Sequence, residues 1–149
     1  MKLVEEFTMR AGLSAPLPVG EGPIGTRVVY PVGEGEIEGE RLKAKVVTGG
    51  EWALIGPDGF LRVDVRLNAE THDGAHLYIQ YTGLLEMSEK FQSAMASGEG
   101  TQFEDQYFYT NPKIECGDPR YAWLNQTFFI GQGRLTADPG VEYRVWRPA

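Results

Sequence analysis

Apolar and polar residues alternate with a period of two over much of the chain, which is the pattern of β-strands with one buried face. The segment 60–70 is the clearest case, because every second residue in it is apolar: Leu61, Val63, Val65, Leu67 and Ala69. The residues between them are charged or polar: Arg62, Asp64, Arg66, Asn68 and Glu70. A helix would mix the two sets, so the alternation predicts a strand.

Shorter stretches of the same kind predict further strands at residues 2–10, 27–32, 41–47, 76–82, 106–110, 124–135 and 142–146. Glycine, proline and aspartate cluster at 57–59, 71–74 and 138–140, which predicts tight turns there. The glycine-rich pieces 20–22 and 33–36 are also predicted as turns, and 15–25 as a crossing loop. Successive strands joined by tight turns are typical of an antiparallel sheet.

One helix is predicted, near residues 88–97. Ser88 is suited to cap its first turn, Glu89 favours the positive end of its dipole, and Gly98 ends it. The apolar face has four-residue spacing and consists of Met87, Phe91 and Met95. This helix is expected to cover one end of the sheet structure.

These elements predict a mainly β fold. A sheet with this many strands hides its edges best by curling, so we expect one domain over residues 1–149 that forms an antiparallel up-and-down β-barrel. A barrel of about eight strands has an interior that holds one small ligand. A two-sheet sandwich is the alternative, because strand pattern alone does not determine closure.

Composition narrows the partners and the compartment. The formal net charge of -7 and the absence of a basic stripe disfavour nucleic acid. A single cysteine, Cys116, forms no internal disulfide and suits a reducing compartment, so the predicted location is the cytoplasm. The first residues lack the apolar run of a signal peptide or membrane span, and no membrane partner is expected.

Several kinds of chemistry find no support in the sequence. His72 and His76 flank a turn but have no third ligand near them, so no metal site is predicted. Cys116 lies near Glu115 and Asp118, whose charges would raise the pKa of a thiol and oppose a catalytic thiolate. Serine-triad, phosphate-loop and cofactor-binding motifs are absent, so no cofactor is expected.

One set of polar and aromatic residues remains as a candidate site. Asp64 and Arg66 share the polar face of segment 60–70, where a guanidinium keeps a neighbouring carboxylate ionised and oriented. Further candidates lie on strands that can converge with it: Tyr78, Tyr107 or Tyr109, Trp123 and Asn125. The alternative is that this face is the solvated outer wall of the barrel.

The stretch Gly117-Asp118-Pro119-Arg120-Tyr121-Ala122-Trp123-Leu124-Asn125 resembles the signature of the Domain of Unknown Function 3237 family. Residues 22–27, 49–50 with Trp52, 57–59, 64–66, 71–74 and 107–110 extend the resemblance over nearly the whole chain. It implies a calycin-like antiparallel barrel that often forms a homodimer and whose role is mostly unassigned. It also implies that Asp64, Arg66, Tyr78, Trp123 and Asn125 occupy recurring positions. The family often has Gly-Ala-Asp-Trp where this chain has Gly50-Glu51-Trp52, so Glu51 is a candidate replacement for that acid.

Three functions fit this picture. The first is a cofactor-free isomerase, cyclase or lyase that acts on a small aromatic or polyketide-like compound in the lumen, with Asp64 or Glu51 as the base. The second is a protein that binds a small hydrophobic ligand without changing it, and the third is a module with a solidly packed barrel. The predicted catalytic residues are Asp64, Arg66, Glu51 and Tyr78, and the predicted substrate-binding residues are Trp52, Tyr109, Trp123 and Asn125.

Overall fold

The structure is a computed structural model that describes residues 1–149, and strands dominate it. The nine strands are β1 (Leu3–Leu13), β2 (Leu17–Gly22), β3 (Gly25–Gly39), β4 (Lys43–Ile55), β5 (Phe60–Thr71), β6 (His76–Glu86), β7 (Phe108–Glu115), β8 (Ile130–Thr136) and β9 (Gly140–Pro148). One α-helix, α1 (Glu89–Ser97), and two 3₁₀ segments, Phe103–Asp105 and Pro119–Gln126, connect them. No helix is both long and apolar enough to cross a membrane.

Eight of the strands form a closed antiparallel barrel. Each strand from β3 to β8 pairs with the next along the chain, and β1 closes the ring by pairing with β9 on one side and β3 on the other. The predicted barrel is therefore confirmed, and the sandwich is not what the chain forms. β2 lies outside the ring and pairs only with the first half of β3, from Gly25 to Val29. The prediction of a crossing loop at 15–25 was wrong, because Leu17 to Gly22 pair with the exposed edge of β3 and form a strand.

Consecutive antiparallel strands place every second connection at the same end of the barrel, so its two ends carry different connections. The upper end carries the β4–β5 turn, the β8–β9 turn and α1. The lower end carries the β3–β4 turn, the β5–β6 turn and Pro119–Gln126. Leu42, Tyr121 and Leu124 are buried at the lower end and close it.

Inward-facing side chains fill the lower part of the barrel. On β5 the predicted apolar set is buried, and it meets the inward residues of β6, among them Leu77 and Ile79. Phe129 and Val145 reach the same core from the other side. The lower half of the lumen is thus a packed hydrophobic core with no room for a ligand.

The helix α1 confirms its prediction at both ends. The Ser88 hydroxyl accepts a hydrogen bond from the Phe91 backbone N–H at 3.2 Å, and Gly98 takes the left-handed conformation, with φ of 74°, that ends the helix. Phe91 is buried against Phe108 at the upper end, with ring centroids 6.4 Å apart. Met95, which was expected on the apolar face, is 43% exposed.

Two stretches that looked like turns or strands differ from expectation because of long-range contacts. Residues 33–36 lie inside β3 rather than in a turn, and residues 124–126 belong to the 3₁₀ segment Pro119–Gln126 rather than to the start of a strand. β7 extends to Glu115 across Pro112, which a central strand would disfavour. β8 pairs with β7 only at Tyr109 and Thr110, so Pro112 disrupts no ladder on that side.

Gly35 is required by the closure of the barrel. A Cβ atom on Gly35 would lie 2.3 Å from the Arg10 carbonyl oxygen of β1, so the two backbones approach more closely than a side chain allows. We expect Gly35→Ala to lower the free energy of unfolding by about 2 kcal/mol, as overpacking does. Urea denaturation measures it. Gly117→Ala is the matched control, because a Cβ there meets nothing within 4 Å; equal stabilities of the two variants would contradict the account.

Candidate functional site

The polar face of β5 lies on the outside of the barrel. Val63, Val65 and Leu67 are buried in the core, so the alternation turns Asp64 and Arg66 outward. Arg66 is exposed and Asp64 is half-buried. Asp64 and Arg66 therefore do not line the lumen. Burial of the five apolar side chains of β5 is more favourable than burial of the polar ones, so the apolar face turns inward.

Three aromatic candidates share the outer wall with Asp64. Trp52 is 43% exposed and borders, together with Asp64, a surface groove of about 410 Å³. Tyr109 is exposed on β7, with its ring edge-on to Tyr107 at 4.9 Å. Tyr78 is half-buried on the outer face of β6, opposite Asn68 on β5. The structure therefore brings Trp52 and Asp64 together but places Tyr78 apart from them.

Trp123 and Asn125 lie in the 3₁₀ segment at the lower end. The Arg41 guanidinium stacks 3.8 Å from the Trp123 ring centroid and hydrogen-bonds to the Glu6 carboxylate, which also accepts from Arg147 at 2.7 Å. The Asn125 side chain accepts from the Cys116 N–H and donates to the Cys116 carbonyl oxygen, both at 2.8 Å. These contacts hold the lower end of the barrel together, and they leave both Asn125 side-chain groups occupied.

The role of Asn125 as a clamp gives a stability prediction. Asn125→Ala removes both hydrogen bonds to the Cys116 backbone and is expected to lower the free energy of unfolding by about 2 kcal/mol. Asn125→Asp keeps the acceptor but places an oxygen against the Cys116 carbonyl, so it should also destabilise. Urea denaturation of both variants checks this. Wild-type stability in Asn125→Ala would contradict it.

Glu51 is the one predicted site residue that faces the lumen. It pairs with Tyr30 on β3 and with Val65 on β5, and residues opposite one another point to the same face of a sheet. Val65 is buried in the core, so the Glu51 side chain points inward. Its carboxylate is half-buried and has neither a hydrogen bond nor an ion pair within the chain. A free carboxyl group inside a protein is unusual, because burial penalises its charge.

Three tyrosines surround this acid, and we call the four residues the Glu51 cluster: Tyr30, Glu51, Tyr81 and Tyr143. Tyr81 is the β6 neighbour of Val65, and Tyr143 reaches it from β9 with ring centroids 5.3 Å apart. Both rings are 2% exposed. Phe108 packs edge-on to Tyr143 at 5.4 Å and forms an apolar wall.

Burial sets the protonation of the Glu51 cluster. It raises the pKa of Glu51 to about 7, and the negative charge of Asp64 on the outer wall adds to this effect. Burial also raises the pKa of Tyr30, Tyr81 and Tyr143, with a contribution from the charge of Glu51. Near neutral pH the acid is thus present in both forms while the tyrosines remain hydroxyl donors.

The Glu51 cluster lies toward the upper end of the barrel. Glu51 is nearer the upper end of β4 at Ile55 than the lower end at Lys43, and the lower end is closed. Partly buried apolar residues pack against the core in the upper half of the barrel: Leu13, Val32, Ile55, Met87 and Leu135. The sequence analysis missed Tyr81 and Tyr143 because it looked for polar faces, whereas these two tyrosines continue the apolar faces of β6 and β9. Their alternation with the other inward residues of those strands was the signal for the cluster.

Several depressions lie on the outer wall and have a different character. One groove of about 600 Å³ runs past Lys43, Glu70 and His72, and one of about 430 Å³ runs past Arg10. Arg10 lies within 4 Å of three carboxylates, those of Glu36, Asp138 and Glu142. Size alone would favour these grooves, but the buried acid and the hydroxyl donors are in the lumen, so we place the candidate site there.

The raised pKa of Glu51 predicts a pH dependence of stability. The folded chain binds more protons than the unfolded chain between pH 4.5 and about 7, so the free energy of unfolding falls as the pH rises through this range. Glu51→Gln removes the penalty and should be more stable than wild type at pH 8 by roughly 3 kcal/mol. Urea denaturation from pH 5 to 8 measures the difference.

Glu70→Gln removes one charge from the exposed face of β5 and is the matched control. If the free energy of unfolding of Glu51→Gln varied with pH in parallel with that of the wild type, burial would not raise the pKa of Glu51.

A model of the family described as "Protein of unknown function (DUF3237)" matches residues 1–148. A UPF0311 protein from Rhodopseudomonas palustris (strain TIE-1) is 32% identical over 133 residues, which cover 89% of this chain and 87% of that protein.

Solved structures share the barrel. A protein of unknown function from Rhodopseudomonas palustris matches with a TM-score of 0.86 and 28% identity, over 98% of this chain and 96% of that one. A β-barrel-like protein from Acinetobacter baumannii AYE matches with a TM-score of 0.79 and 26% identity, over 99% and 96%. A protein from Penicillium herquei that is described as an enzyme matches with a TM-score of 0.71 over 98% and 92%, and its 18% identity shows the fold alone.

Proposed function

Since the chain belongs to the DUF3237 family, which is described as being of unknown function, we propose its role from the geometry of the lumen. The role is that of a cofactor-free acid/base enzyme of the isomerase, cyclase or lyase type. Its substrate is a small aromatic or polyketide-like compound that enters the upper half of the barrel. The observation that carries this proposal is the unpartnered, half-buried carboxyl group of Glu51 among tyrosine hydroxyls.

Glu51 suits the role of the general base. A base works best when its pKa lies near the working pH, and the pKa of Glu51 is about 7. No side chain of the protein competes for its oxygens, so they are free to take a proton from a C–H or O–H group. Asp64 takes a supporting role in this proposal, because its charge on the outer wall favours the protonated form of Glu51.

The tyrosines suit the role of stabilising negative charge. A proton removed next to a carbonyl leaves an enolate oxygen, and a hydroxyl donor in a dry site stabilises that oxygen strongly. Tyr81 and Tyr143 provide such donors deep in the lumen, and Tyr30 provides one beside Glu51. We assign them the role for which the sequence suggested Tyr78 or Tyr109, both of which lie on the outer wall. The Penicillium herquei protein supports catalysis as a role open to this fold.

Storage or transport of an apolar ligand is the second candidate. The observation that favours it is the apolar character of the upper half of the barrel, where the partly buried Leu13, Val32 and Leu135 pack against the core. A binder would use the same lumen and leave the ligand unchanged.

A nitrobenzisoxazole tests the proposed base. When a base removes its ring C–H proton, the N–O bond breaks and a coloured cyanophenolate forms. We expect the wild type to catalyse this reaction with a rate that rises through about pH 7, and Glu51→Gln to lower the rate roughly 100-fold. Absorbance of the cyanophenolate gives the rate.

Glu70→Gln controls for the loss of an exposed carboxylate and should retain the wild-type rate. Asp64→Asn should shift the midpoint of the pH profile downward. A Glu51→Gln variant with the full rate would refute the assignment, and probe binding without turnover would favour the ligand-binding role.

A further inference from the structure

The lumen has one charged side chain and no cation. Glu51 supplies the charge, and neither lysine nor arginine is found among the buried residues. The four partly buried arginines lie on outward positions or at the lower end. Arg27 donates to the Trp52 carbonyl oxygen at 2.9 Å, Arg134 to Glu142 at 2.8 Å and Arg147 to Glu6, while Arg144 stacks 4.1 Å from the Phe103 ring.

The remaining polar groups of the inner wall are hydroxyls. Tyr30, Tyr81 and Tyr143 belong to the Glu51 cluster, and Thr110 adds a fourth hydroxyl that is buried and has no hydrogen-bond partner. Thr110 faces inward beside Gly83 on β6, two residues beyond Tyr81. An unpaired buried hydroxyl costs free energy unless a ligand or water satisfies it. The wall therefore has donors for oxygen atoms but no group that neutralises an anion.

We propose that the lumen selects its ligand by charge, accepting uncharged aromatic carbonyl compounds and excluding carboxylates and phosphates. This inference rests on the proposed site and narrows its substrate class. An anion that enters loses its hydration, finds no cation and approaches the Glu51 carboxyl, so repulsion and desolvation both oppose it. A neutral carbonyl oxygen instead gains hydrogen bonds from the hydroxyls and loses little hydration.

Three probes of one shape test this selection: 2-acetylnaphthalene, 2-naphthoate and 2-naphthylmethylammonium. At pH 8, where Glu51 is mostly ionised, we expect the ketone to bind and the carboxylate to bind at least tenfold more weakly. Titration calorimetry gives both dissociation constants. Glu51→Gln should tighten naphthoate binding about tenfold relative to the ketone, because it removes the repelling charge.

Glu70→Gln serves as the control that leaves the discrimination unchanged. Equal binding of ketone and carboxylate to the wild type, or no binding of the ketone, would overturn the inference. Tighter binding of 2-naphthylmethylammonium than of the ketone would also overturn it, because the lumen would then be a site for amines. Turnover of the nitrobenzisoxazole without charge discrimination would refute this inference alone, whereas discrimination without turnover would refute only the catalytic proposal.

Discussion

The pairing of β3 with two different partners determines how this barrel closes. Its second half, from Val32 to Gly39, pairs with β1 and completes the ring, whereas its first half, from Gly25 to Val29, pairs with β2. Above this exchange β1 no longer pairs with β3, and β2 takes its place at the edge of β3. Tyr30 lies at the exchange point and Glu51 is its partner on β4. Their partial exposure follows from strand pairing, because above this point no strand of the ring covers them from the β1 side.

The position of Glu51 explains how a lone acid is tolerated inside the barrel. A carboxylate fixed in the packed lower half would need a cation or would remain protonated. At Glu51, partial contact with water limits the penalty, and the raised pKa lets the group lose its charge near neutral pH. The position therefore costs stability, as positions of buried functional groups commonly do, and in the function that we propose it provides reactivity in return.

Local patterns in the sequence predicted much of the fold, and long-range contacts account for what they missed. Alternation identified β5, and the Ser88 cap and Gly98 identified α1, because these signals depend on neighbouring residues. β2 and the strand character of 33–36 depend on partners distant in sequence, so composition alone suggested loops. A related reason explains why the sequence pointed to the outer wall. The polar face of β5 is the solvated wall of a barrel, while the hydroxyl groups of the lumen belong to single tyrosines on otherwise apolar faces.

The two ends of the barrel perform different tasks, and the strongest sequence signal belongs to the structural end. The stretch 117–125 contains Trp123 under Arg41 and Asn125 bonded to the Cys116 backbone, so its specific order reflects how the lower end is closed. Because the lower end is closed, the lower half of the lumen is packed, and this packing holds the inward rings of Tyr81 and Tyr143 in place. A distinctive motif in a barrel can thus mark the support of a site rather than its chemistry. In the function that we propose, the chemistry is concentrated at Glu51, one position before a surface tryptophan.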